Sequence, residues 1–247
     1  MAYPRVAPGA DFGTPAARAR IAEAISPRYR GGAHFAALLA QAAAFMAAAA
    51  AFLRDVRLWE WLLVPAALVF GNAFEWWVHR GPLHHPWPPR LAYNRHTLTH
   101  HAAFSHEDMA VRSWRELRIV LFPLFALPLL ELLILPVVAL VAWTLGRNAA
   151  VLFVLSATFY YLMYEVLHLA YHLPSAHPVA PLGLVQWLRR HHQAHHDPQR
   201  MTDGNFNVSI PLFDWLLGTR LPAVAQGAAG APHSSAAEPS GATHTIS

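Results

Sequence analysis

The chain has 247 residues, of which 55% are hydrophobic and only 13% charged, where a soluble domain carries about a quarter charged. Its apolar residues fall in long blocks, which excludes an ordinary soluble domain and points to a membrane protein. The net charge of +4 rests on arginine alone, and the absence of cysteine excludes disulfides, zinc fingers, iron–sulfur clusters and thiol catalysis.

Residues 1–32 read as a polar lead punctuated by Pro4, Pro8, Pro15 and Pro27, and no secretory signal peptide is expected in it. The stretch 16–26 predicts a short interfacial helix with Arg18 and Arg20 near lipid headgroups, a disordered lead being the alternative. A membrane domain is expected over 33–220, with spans at about 35–53, 59–78, 119–145 and 149–171, each long enough to cross about 30 Å of hydrocarbon at about 1.5 Å per residue. The third block contains Pro123, Pro128 and Pro136 and reads either as one kinked helix or as a hairpin bent near Glu131. Parity selects the single helix, because a hairpin would put the two histidine-rich regions on opposite sides. Glu131 lies deep in that block with no partner evident in the sequence. Residues 221–247, with His233 and His244, read as a disordered low-complexity tail.

The fold class expected is therefore an all-α integral membrane protein, four transmembrane helices beneath a cytoplasmic histidine-rich helical cap. Fifteen of the eighteen arginines fall in the lead, in 79–118 and after 189, whereas the opposite loops hold only Arg54, Arg57 and Arg147. The positive-inside rule puts both termini and all histidine clusters in the cytoplasm. The alanine- and arginine-rich, lysine-free composition suggests a bacterial inner membrane. Arginines that follow the membrane flanks give no separate basic domain, so no nucleic-acid partner is expected.

Of the seventeen histidines, most lie in four clusters: His79 and His84 with His85; His96, His100 and His101 with His106; His168 and His172; and His191, His192, His195 and His196. On helices, four-residue steps place His168 beside His172, and His96 beside His100 with His101 turned by about 100°. His192, His195 and His196 are expected to share one face. Ten histidines are candidate metal ligands: His79, His84, His96, His100, His101, His168, His172, His192, His195 and His196. Imidazole suits iron, zinc and copper. Glu75 and Glu165, carboxylates in apolar spans close to ligand candidates, are expected to orient imidazoles through ring N–H groups. Asp108, Asp197, His85, His106 and His191 are further supporting or alternate candidates. The tryptophans near the span ends read as interfacial anchors.

The clusters resemble those of the fatty acid hydroxylase superfamily, also called the sterol desaturase family, and the resemblance covers roughly residues 60–220. The ending Gly204-Asn-Phe-Asn-Val-Ser-Ile-Pro-Leu-Phe-Asp-Trp-Leu-Leu-Gly-Thr219 is similar to the family's own, with Asn205, Pro211, Asp214 and Gly218 as its structural positions. It departs at Asn207, often glycine, and at Phe213, where tryptophan is common; neither is expected to touch the ligands. The resemblance implies two iron ions, which zinc can replace in purified protein, and dioxygen as co-substrate. It implies a membrane lipid substrate (fatty acyl lipid, sphingolipid, sterol or carotenoid) and hydroxylation of a C–H bond. No cytochrome b5 domain, dinucleotide fingerprint or haem motif is visible, so a separate electron donor is expected, ferredoxin or cytochrome b5 with a reductase. The alternatives are a desaturase of the same superfamily, a non-redox membrane zinc enzyme, or a metal-binding or transport protein.

Overall fold

A computed structural model describes residues 11–223, and they are all helical with no strand. The expectation of a disordered tail falls almost wholly outside them, as do His233 and His244. Four helices are long and apolar enough to cross a membrane: Gly31–Ala50, Leu58–Leu83, Ala126–Leu145 and Arg147–Tyr171. The protein is thus multi-pass.

α1 (Pro15–Glu23) starts where Thr14 accepts the amide of Ala17 at 3.2 Å, with proline in the first turn. Arg18, expected near headgroups, turns into the protein, whereas Arg20 is exposed. Ala17 and Ile21 of α1, with Ile25 just beyond, pack into a core with Ala102, Phe104, Leu117, Ile119 and Leu169, and Arg18 is buried. α2 (Gly31–Ala50) is the first span. It must begin with glycine, because a Cβ at Gly31 would lie 1.8 Å from the Trp114 carbonyl oxygen.

The second span combines a 3₁₀ turn (Leu58–Leu62), α3 (Leu63–Val78) and a π-helical turn (His79–Leu83). α4 (Leu91–Arg95) runs directly into a second π turn, His96–His101. The third apolar block is neither a hairpin nor one 27-residue helix. A short α5 (Leu117–Val120) is followed by a break, and α6 (Ala126–Leu145) is the span. The break has a local cause. Pro123 disfavours helical backbone at the residue before it, and Leu121 is already extended, with ψ 142°. The freed amide of Phe122 is taken by Glu165 at 3.2 Å. Gly146, with φ 94°, turns the chain into α7 (Arg147–Tyr171).

α7 is the central span. Half of its apolar window is buried inside the protein, against 11–17% for the other three, so it is the helix the rest pack around. Glu131 has a partner after all: Thr158 of α7 donates to it at 2.7 Å. α8 (Gly183–His195) crosses over the bundle end, and α9 (Leu212–Leu216) folds back on α3.

Candidate metal centre

The bundle end and the segments above it collect all ten candidate ligands into two buried groups of five. His79, His84, His96, His101 and His195 form one; His100, His168, His172, His192 and His196 form the other. Within each group the potential donor atoms all lie within 4.8 Å of one another. The grouping departs from the shared faces expected from sequence. His96 pairs with His101, not His100, because the segment is a π turn, in which residues five apart come into register. His79 and His84 repeat that step. In α8, His192 and His196 share a face, while His195 turns to the other group.

Hydrogen-bond chemistry shows what these groups are built to hold. A backbone carbonyl only accepts, so an imidazole Nδ1 bonded to one must carry the ring's proton. His79 donates in this way to Phe206 at 2.5 Å and His195 to Gly204 at 2.9 Å. In the second group His100 donates to Ile119 at 3.2 Å, His172 to Met109 at 2.7 Å and His196 to Phe104 at 2.8 Å. A neutral imidazole has one N–H, so the Nε2 atoms of these five are bare lone pairs. Yet Nε2 of His100 and Nε2 of His196 face each other at 3.1 Å, an arrangement that is repulsive without a cation between them. Nε2 atoms of His168 and His172 are buried and bonded to nothing.

The rings cannot relieve this by protonation. Burial first, then repulsion from neighbouring imidazoles, holds His84, His96, His101, His192 and His196 well below the ordinary value of 6.5. Burial does the same at His100 and His172, despite opposing bonds to their carbonyls. His195 is lowered by burial to about 4, even with the Gly204 bond and the nearby Asp214 acting the other way. The donor set therefore fits metal ions: neutral, convergent nitrogen donors in dry pockets.

The spacing bears on coordination. Nε2···Nε2 separations are 2.8 Å for His79–His96, 3.0 Å for His84–His195 and His192–His196, and 3.1 Å for His96–His101, His101–His195 and His100–His196. Two nitrogens about 2.1 Å from one ion stand about 3.0 Å apart at a right angle and about 3.4 Å apart at the tetrahedral angle. The observed values are close enough for the Nε2 atoms of each group to converge on a single ion.

The two groups are braced by different segments. The first leans on 204–219. Asp214 accepts the amides of Phe206 (3.0 Å) and Asn207 (2.8 Å), the Thr219 hydroxyl (2.7 Å) and His191 (3.1 Å). Burial pushes the Asp214 carboxyl up, but those donors outweigh it and hold it below the usual carboxylate value. Glu75 does not orient an imidazole directly. It accepts the amides of Val208 and Ser209 and the hydroxyls of Tyr160 and Ser209, and so pins the segment whose Phe206 carbonyl receives His79. Asn207, the departure from the usual glycine, is buried and bonds Asn72, Phe213 and Asp214. Gly204 must lack a side chain, since a Cβ there would lie 1.9 Å from the Thr219 carbonyl oxygen. Asn205 takes φ 56° and donates to the His191 carbonyl, Pro211 opens α9, and Gly218 closes it with φ 67°.

The second group leans on 102–121, the source of its three orienting carbonyls. Glu165 serves this side by holding the Phe122 amide rather than His168. The remaining candidates stand apart from both groups. His85 bonds the Arg80 carbonyl near the surface, Asp108 pairs with Arg18 and Arg112, and Asp197 caps its own turn at Gln199. His106 meets the centre through its backbone, receiving Gln193 and donating to the His196 carbonyl, while its ring lies 4.0 Å from Glu107. His191 reaches Asp214 and no other histidine. Sequence reasoning did not anticipate the bracing roles of Arg18, Asn72, Tyr160 and Ser209. Of these only Asn72, an amide inside an apolar span, left a sequence signal.

The family model for fatty acid hydroxylase matches residues 64–219, a stretch that includes every one of the ten histidines. The chain belongs to the fatty acid hydroxylase family. That places it in the fatty acid hydroxylase/sterol desaturase superfamily. No curated protein and no solved structure is matched by the chain. In this fatty acid hydroxylase family member the matched region starts within the second span, so α1 and α2 lie outside it.

Proposed function

We propose that the chain is an oxygen-dependent lipid hydroxylase whose two histidine groups each hold an iron ion. The observation that carries this reading is the set of bare, convergent Nε2 atoms, five histidines to a group, within the family-matched region. Two iron ions, when bound, supply the redox chemistry that directs dioxygen at an unactivated C–H bond. One oxygen atom enters the C–H bond as hydroxyl; the other leaves as water after two electrons and two protons arrive from outside. A separate ferredoxin, or cytochrome b5 with a reductase, is the proposed source of those electrons.

The protein's own part is positioning. Carbonyl-fixed tautomers aim the nitrogen lone pairs, and the burial of all ten rings excludes water. The exposed apolar faces of the spans, such as Leu132, Leu133 and Trp143 of α6, fit a bilayer, from which a lipid substrate would come. The arginine distribution supports a cytoplasmic site.

Two other readings fare worse on specific observations. A zinc hydrolase uses an open tetrahedral site with a carboxylate base, whereas these groups contain only imidazole, and Glu75, Glu165 and Asp214 are engaged elsewhere. A transporter holds its ion near the bilayer midplane, whereas His79, His168 and His172 sit at span ends. The test is lipid mass spectrometry on cells expressing wild type or His192→Ala/His195→Ala under labelled dioxygen. A wild-type-only lipid carrying one labelled oxygen supports hydroxylation. Loss of two hydrogens alone points to desaturation, and no difference in iron-loaded cells with a reductase present overturns the redox reading.

A further inference from the structure

We infer that Arg18, in the N-terminal helix outside the family-matched region, is a positioning residue for the ion held by His100, His168, His172, His192 and His196, and for that ion only. The inference rests on reading the two histidine groups as metal sites. Arg18 is almost wholly buried, with 2% of its side chain exposed. A buried guanidinium is costly unless each of its contacts is specific. Here it grips the segment that orients the second group. One terminal nitrogen lies 2.8 Å from Asp108, and the other donates to the Ala110 carbonyl and to Glu116, both at 2.6 Å. Glu116 in turn accepts the Arg112 amide at 2.7 Å. Asp108 and Ala110 flank Met109, whose carbonyl receives His172.

The central carbon of the guanidinium also lies over the Phe104 ring, 4.9 Å from its centre. The same ring meets His172 at 4.7 Å and His100 at 5.5 Å between ring centres. The Phe104 carbonyl receives His196. The third orienting carbonyl, of Ile119, belongs to a residue packed in the same core as Ile21 and Ile25. Gly13, just before α1, adds a bond to the Ala102 carbonyl at 3.2 Å. All three carbonyls that fix tautomers in the second group are thus carried by a segment clamped from α1. None of the contacts of Arg18 reaches Gly204 or Phe206, which orient the first group.

Removing Arg18 alone would strand Glu116 as a buried unpaired charge, so the informative variant is Arg18→Gln/Glu116→Gln. The full chain in detergent is loaded with cobalt(II), then challenged with increasing chelator. Bound cobalt per chain and the visible cobalt spectrum are followed. Wild type holds two ions. In the double variant one ion is expected to weaken by about 10- to 100-fold, with the other unchanged. Arg18→Lys keeps the charge without the planar fork and weakens the same ion by less. Adding Asp214→Asn loosens the first group's ion as well, showing that the two clamps act on different metals. The inference is overturned if the double variant keeps both ions as tightly as wild type, loosens both equally, or loosens the same ion as Asp214→Asn. A wild type that binds no cobalt overturns the metal reading itself, and this inference with it.

Discussion

The two histidine groups use the same donors but different helical arithmetic. The first takes two pairs spaced five apart, His79/His84 and His96/His101, each spanning a π turn, and adds His195 from α8. The second takes two pairs spaced four apart, His168/His172 and His192/His196, from α7 and α8, and adds His100 from the π turn. The odd member of each group therefore comes from an element that mainly serves the other, and this interlocks the two. Their braces differ as well: the C-terminal stretch 204–219 for the first, the loop 102–121 under α1 for the second. Two histidine groups of one donor chemistry are thus held by different supports behind the rings.

The strongest way to break this comparison is to remove a ligand from each side. His101→Ala is expected to cost one ion, His172→Ala the other, and the pair both, with lipid oxidation lost in every case; elemental analysis of purified protein checks the count. Loss of both ions in each single variant would mean that the groups are not separable.

Acid acts on both groups together. Their imidazoles are harder to protonate folded than unfolded, so the unfolded chain takes up protons that the folded chain refuses. Metal-free protein should therefore hold its stability above pH 6.5 and lose it as pH falls toward about 4, the value for His195. Denaturant titration across that range checks it, and rising stability with acid would contradict the assignment of neutral rings.

A narrower change separates the sides. Gly204→Ala drives a methyl group toward the Thr219 carbonyl and displaces the carbonyl that fixes His195. It should weaken only the first group's ion, by about 10- to 100-fold, in a chelator competition. The smallest effect expected is at Thr97→Val. Thr97 donates to the Leu83 carbonyl at 2.7 Å and lies 3.4 Å from His84 Nδ1. Its loss should cost about 1 kcal/mol, roughly fivefold in affinity for that ion, and nothing at the second.

The sequence made the four spans and the ten histidines legible because hydropathy and residue type are local properties. It did not make the grouping legible. Helical spacing placed His100 with His96, and only the π turn, which nothing in the residue types announces, sends them to different groups. The roles of Glu75 and Glu165 were also hidden. Both lie near ligand histidines in sequence, yet both act on backbone amides brought in from distant segments, Val208 and Ser209 for Glu75 and Phe122 for Glu165. Arg18 read as a headgroup contact because its partners, Asp108 and Glu116, lie far away in the sequence, Glu116 by 98 residues. Long-range polar pairing of this kind leaves no periodic trace. The third span's true start was recoverable in part, since Pro123 marks the break.

X-ray absorption spectroscopy of the iron-loaded full chain tests the central claim most directly, by counting donors around each metal. Two irons per chain, each with about five imidazole nitrogens and no protein carboxylate in its coordination sphere, is the predicted result. A single iron, or tetrahedral sites with carboxylate oxygen among the ligands, would contradict it.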